Sequence, residues 1–131
     1  MNLNYQTNNN VDEYKVTTLE RLKIELNNRP YYDDGTFSMY LSENDLEPED
    51  VYDKKTMQKR LLYTVLDILE SLSNDINIFR SVETEFTTVG DAYSELHKRL
   101  YALQKRIDAI PDDGKKKQND VSFLFHTRRE D

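Results

Sequence analysis

The densest run of groups able to do chemistry is ENDLEPEDVYD, from Glu43 to Asp53, which holds six acidic residues and no basic one. Closely spaced carboxylates suit a hard cation. A calcium loop, however, needs ligands at alternating positions, with Gly at the sixth and Glu at the twelfth. Neither the Gly nor the spacing is present here. The run is therefore expected to be a solvated loop pinned by Leu46, Val51 and Tyr52. Its last residue, Asp53, is expected to cap the helix that follows.

Other chemical constellations are missing. His97 and His126 are the two histidines, and they stand far apart in the chain. A zinc site needs three or four ligands at workable spacing. With no cysteine, neither a disulfide nor a Cys-ligated metal can form. The chain has three glycines and no phosphate-cradling loop, and no Ser or Thr stands in a nucleophile elbow. Among 25 acidic residues, carboxylate pairs arise by chance, so none identifies an acid–base dyad. The expectation is a protein that is not an enzyme, with no catalytic residue, no metal site and no cofactor.

What remains is the scaffold. At 131 residues the chain fits one domain with extensions, and a 37% hydrophobic share is enough for a small helical core. No apolar run approaches the roughly 20 residues needed to span a bilayer. MNLNYQTNNN lacks the basic and apolar regions of a signal peptide, so synthesis in the cytoplasm is expected. The net charge of −7 leaves no basic face for gripping phosphates, although an acidic chain can still lie near DNA.

Residues 1–15, rich in Asn and without periodicity, are expected to be a disordered or partner-ordered arm. A body over 16–111 follows. Thr17 and Glu20 form a predicted capping box, and Leu19, Leu22 and Leu26 share one helix face. Asn27, Asn28 and Pro30 end that helix. Thr36 is the predicted cap of a short second helix with Phe37, Tyr40 and Leu41 inside. From about Lys54 to about Ser73, Met57, Leu61, Val65, Ile68 and Leu72 form a stripe that Leu62, Leu66 and Leu69 widen. So broad a face marks the central helix. Ile76 to Thr88 is rich in β-branched residues on one parity, which favours an extended piece or hairpin arm over a helix continued through Phe79. The last helix opens at Thr88-Val89-Gly90-Asp91. Val89, Tyr93, Leu96, Leu100, Leu103, Ile107 and Ile110 then recur in four-three alternation, and Pro111 ends it. This seam is either an ordinary core face or in part a subunit contact. Lys98, Arg99, Lys105 and Arg106 lie off it and are expected to make a basic outer face. The fold class is mainly α: a small bundle of about four helices, one short extended element, and flexible arms at both ends.

Beyond Pro111, residues 112–131 read as a charged linker, DDGKKKQND, and an apolar-tipped tail, DVSFLFHTRRED. Apolar residues at a chain tip imply a cover. Val121, Ser122, Phe123, Leu124 and Phe125 are the candidate partner-binding residues. They are strand-prone and suited to adding as a strand to the edge of a partner. The alternative is that the tail folds back onto its own helices.

The runs TTLERLKIELNN, TFSMYLSENDLEPEDVYDKKTMQKRLLYTVLDILESLSND and FTTVGDAYSELHKRLYALQKRI, in this order over about 16–110, resemble the small helical head–tail connector proteins of tailed bacteriophages, also called adaptors or head-completion proteins. No single motif carries the resemblance, which rests on the order of elements. It implies a virion structural protein, a ring of about twelve subunits at the head–tail junction. It also implies a portal protein and neighbouring ring or tail proteins as partners, the C-terminal segment docked into the portal, and DNA passing through the ring without sequence-specific binding. The Asn-rich arm departs from the family's usual pattern. The reading from a different class is a small soluble helical regulator that holds a single protein partner.

Overall fold

A computed structural model describes residues 15–112. The N-terminal arm up to residue 14 and the tail from residue 113, with Val121 to Phe125 in it, lie outside the described residues. Five helices follow in order: α1 Thr18–Glu25, α2 Asp34–Glu43, α3 Lys54–Asn74, α4 Ile76–Glu83 and α5 Val89–Asp108. The chain is mainly helical, as its periodicity predicts.

Helix α1 starts where its capping box places it. Thr17 Oγ1 accepts from the Glu20 amide at 3.1 Å, and the Glu20 carboxylate accepts from the Thr17 amide at 2.9 Å. It ends at Asn27 and Asn28, both left-handed at φ 58° and 56°, a conformation that Asn tolerates better than most residues. Helix α2 is capped by Asp33 rather than the predicted Thr36. Asp33 Oδ1 accepts from the Thr36 amide at 2.9 Å. A carboxylate satisfies that donor and also meets the positive end of the helix, which a hydroxyl cannot do. The bond from Thr36 holds the Asp33 carboxyl below its usual range.

The acidic loop completes α1. The Thr18 amide and hydroxyl both donate to the Asp50 carbonyl, at 2.8 and 3.0 Å, and the Leu19 amide donates to the Pro48 carbonyl at 3.0 Å. These amides are among the donors that a helix start leaves without intrahelical partners. A bridge between Thr17 and Val51 extends the seam. Leu46 pins the loop from inside, as expected, but Val51 is 56% exposed. Backbone bonds hold Val51 in place and its side chain faces water.

Helix α3 is the centre. Met57, Leu61, Leu62, Val65, Leu66, Ile68, Leu69 and Leu72 are buried with Thr64 among them, whose hydroxyl returns to the Arg60 carbonyl at 2.9 Å. Helices α1 and α2 pack on it and on each other, and α4 and α5 do the same.

Two expectations fail on the far side. Ile76 to Glu83 is helix, and the predicted extended piece shrinks to a connection at residues 84–88, with no strand among the described residues. Phe79 and Glu83 are both buried and, one helical turn apart, both meet Tyr31 and Arg99, whereas a strand would hold them roughly 13 Å apart. Tertiary burial outweighs the β-branched composition. On α5, the core line runs through Ala92, Leu96, Leu103 and Ile107. Leu100 and Ile110 are partly buried, whereas Val89 and Tyr93 are 47% and 45% exposed. The seam therefore drifts out of the core toward the start of the helix.

Burial along α5 sets the cost of truncation. Leu96→Ala should destabilise the body by about 2–5 kcal/mol, while Leu100→Ala should cost clearly less. Urea midpoints of the two variants check the ranking, and equal losses would place Leu100 in the core.

Candidate functional site

Three features of the described residues can carry function: a buried polar cluster, a cleft, and an exposed aromatic flank. The cluster is centred on Glu83, whose side chain is almost wholly enclosed. The Tyr31 hydroxyl donates to Glu83 Oε2. Arg29 Nε stands 3.5 Å from the same oxygen and Arg99 Nη1 3.6 Å from it. Glu83 Oε1 has no hydrogen-bond partner among the described residues. Phe79 forms the wall. It stacks on Tyr31 at 6.0 Å and on Phe86 at 6.0 Å, and the Arg99 guanidinium lies 5.4 Å from its ring centre. Burial first, then the neighbouring Glu83 carboxylate, push the Tyr31 hydroxyl well above its ordinary range, so it stays a proton donor. Burial works against the charge on Arg99, but Glu95 and Glu83 outweigh it and fix that charge. The cluster joins the α1–α2 connection, α4 and α5.

The cleft, of about 230 Å³, opens between the end of α1 and α5, with Val65 and Leu69 of α3 in its lining. Its rim carries Glu25, Arg99 and Arg106. Arg99 and Arg106 were expected on an outer basic face. Arg106 is exposed, as expected, and reaches Glu25 at 2.5 Å, with Arg21 on the other side of Glu25 at 3.0 Å, whereas Arg99 is partly buried and reaches Glu95 at 3.1 Å as well as Glu83. Bidentate-capable guanidinium groups suit such half-buried pairs better than lysines do. Ligand pockets usually span about 300–1,000 Å³. This cleft is smaller and its cations are already paired, so it fits a structural gap better than a substrate site.

The flank lies on α5. Val89, Tyr93, His97 and Tyr101 recur every four residues, and Tyr101 is 67% exposed. His97 packs on Tyr93 at 4.3 Å between ring centres, and Lys105 Nζ stands 5.1 Å from the Tyr101 ring centre. His97 is thus a surface residue, as its position beside Leu96 predicts. The tail residues Val121, Ser122, Phe123, Leu124 and Phe125 and His126 lie outside the described residues. No group of three or more His, Asp or Glu among the described residues is placed to hold a metal ion, and no helix there is long and apolar enough to cross a membrane. Sequence reasoning missed Glu83. Its spacing of four from Phe79 was the available signal.

Two outcomes follow from these pairs. Tyr31→Phe leaves a buried carboxylate oxygen without its donor and should cost about 1.5–3 kcal/mol, read from denaturation midpoints; an unchanged midpoint would remove Tyr31 from the cluster's role. For Glu25, burial raises the carboxyl, but the hydrogen bond and charge of Arg106, with Arg21, outweigh it and hold it below 4.5. A depressed carboxyl stabilises the fold above its unfolded value and loses that contribution as pH falls through the folded value. Arg106→Gln should therefore lower the melting temperature at neutral pH, and the difference from wild type should close as pH drops below 4.5. A difference that persists in acid would assign the effect to packing.

No family model, curated protein or solved structure matches the chain, so what it does has to be read from its own residues.

Proposed function

We propose that the chain is a non-enzymatic structural protein of a tailed-phage virion. It forms a ring at the head–tail junction, docks on a portal through its C-terminal tail and encloses a duct for DNA. The supporting observation is the order of elements over 18–108: a short capped helix, a short helix with an acidic loop, a long central helix and a long last helix. The resemblance to connector proteins rests on this order together with an extended stretch before the last helix, and helix α4 stands in place of most of that stretch here. The net charge of −7 is compatible with a duct that DNA must slide through, because phosphates are not gripped.

In this reading Val121, Phe123 and Phe125 fall on one face of an added strand, with Ser122 and Leu124 on the other. The strand's backbone supplies hydrogen bonds and its apolar face fills pockets. Residues 112–120 tether it and reach on the order of 30 Å when extended. Many weak docking events in a ring add through effective concentration, so one tail need not bind tightly.

Deleting residues 119–131 tests the reading. The expected outcome is an unchanged melting temperature and loss of assembly on a candidate portal ring, both measurable by thermal melting and light scattering. A body destabilised by more than about 2 kcal/mol, with assembly intact, would put the tail in its own core. A stable one-to-one complex with the partner would favour the single-partner regulator instead.

A further inference from the structure

The exposed flank of α5 has no cover among the described residues. Val89, Tyr93, His97 and Tyr101 span about 18 Å along the helix. With the half-buried Leu100 they make a face that carries no formal charge while His97 is neutral, in a chain of which 33% is charged. Tyrosines that keep a wet hydroxyl and offer a large apolar ring are favoured anchors of protein contacts. The face is bordered by Lys98 and Lys105, both exposed. The described residues form no ion pair with Lys98, and Lys105 lies against Tyr101. Whatever covers this face should therefore be acidic and carry an apolar tip.

The chain itself holds such a surface. The loop at residues 43–53 exposes Glu43, Asp45, Glu47, Glu49 and Asp50, and next to them Val51 turns its side chain to water. Lys54 and Lys55 follow at the start of α3, but they do not balance the loop's acids. The loop is rigid where it matters, since its backbone is bonded to the start of α1. Among the described residues no ion pair joins the loop to Lys98 or Lys105 of its own chain, and Val51 stays exposed. Helices α1 and α2 pack on α3, and α5 packs on α3 and α4.

We infer that the aromatic flank of α5 docks the acidic loop of a second copy of this chain, with Val51 set among Tyr93, Leu100 and Tyr101 and the loop's carboxylates facing Lys98 and Lys105. The two surfaces differ, so the contact is heterologous and repeats head to tail; it closes into a ring if the rotation per step allows. The inference rests on the ring reading and names the contact that would build it.

The test uses the full chain, by light scattering over a concentration series, alone and with a candidate portal ring. Wild type is expected to form multimers. Tyr93→Ser with Tyr101→Ser should weaken association on the order of tenfold or more, with the melting temperature unchanged because both rings are exposed. Lys98→Glu with Lys105→Glu should weaken it, and so should Glu47→Lys with Glu49→Lys. Mixing these two charge variants should restore assembly, because the reversed flank then faces the two reversed loop positions and the unaltered flank faces the unaltered loop. Multimers that ignore all of these substitutions, or charge variants that fail to rescue one another, would overturn the flank while leaving the ring reading standing. A chain that is monomeric at every concentration, with and without the portal, would overturn both.

Discussion

The fold depends on covering α3 from every side. Its buried side chains are too many and too widely spread around the helix for one neighbour to shield. A 21-residue helix with so broad an apolar face must recruit partners on both flanks. Helices α1 and α2, joined by a connection that carries Tyr31 and Tyr32, supply one side, and α4 and α5 supply the other. Each pair is short-range in sequence, so both halves can form locally before α3 brings them together. The acidic loop follows from the same need. It must carry the chain from the end of α2 back to the start of α3, and on the way its carbonyls satisfy the first amides of α1.

Helix α4 shows how a polar group can fix an element that propensity does not. Eight residues are too few for a helix to persist alone in water, and three of them are β-branched. Phe79 supplies the apolar anchor. Glu83 then ties the last turn to Tyr31 on one side and to Arg99 on the other, each bond coming from a different element. Buried ionic groups often add little net stability, because desolvation offsets the attraction. Their value here is positional, since only one placement of α4 brings Glu83 to both partners. The left-handed Thr84, at φ 55°, then turns the chain toward α5.

This division between apolar pattern and polar detail also decides what the sequence made legible. The capping box at Thr17, the caps at Asp53 and Thr88 and the stripe of α3 could be read directly, because each is a local rule with a fixed spacing. Helix α4 was read as extended, because its composition is β-branched and the fact that overrides it, the joint burial of Phe79 and Glu83, is tertiary. At α2 the sequence offers two caps three residues apart, and Asp33 takes the place of Thr36 because it is the better acceptor. The ion pairs of Arg99 and Arg106 were not legible, because periodicity shows which residues are apolar but not which arginines have acids from other elements within reach. Val89 and Tyr93 fitted the α5 seam by spacing, yet the core line follows Ala92 to Leu96 instead. The tail at Val121 to Phe125, the clearest binding signal in the sequence, lies outside the described residues.

Arginine and lysine divide the remaining charge between them. Arg21, Arg29, Arg99 and Arg106 are drawn into ion pairs with Glu25 and Glu83, so the fold itself neutralises its buried and half-buried acids. The exposed lysines on α5 and the carboxylates of the acidic loop are left over. No ion pair joins the loop's carboxylates to Lys98 or Lys105 among the described residues. A body this small would gain nothing for its own stability by moving them closer, because exposed pairs contribute about 1 kcal/mol at most. Unpaired with each other, they give the molecule two unlike surfaces. Like surfaces favour closed symmetric dimers, and unlike surfaces favour repetition in one direction. The covering of α3 thus takes up most of the apolar side chains and four of the arginines, and leaves the aromatic flank of α5, its lysines and the acids of the loop outside.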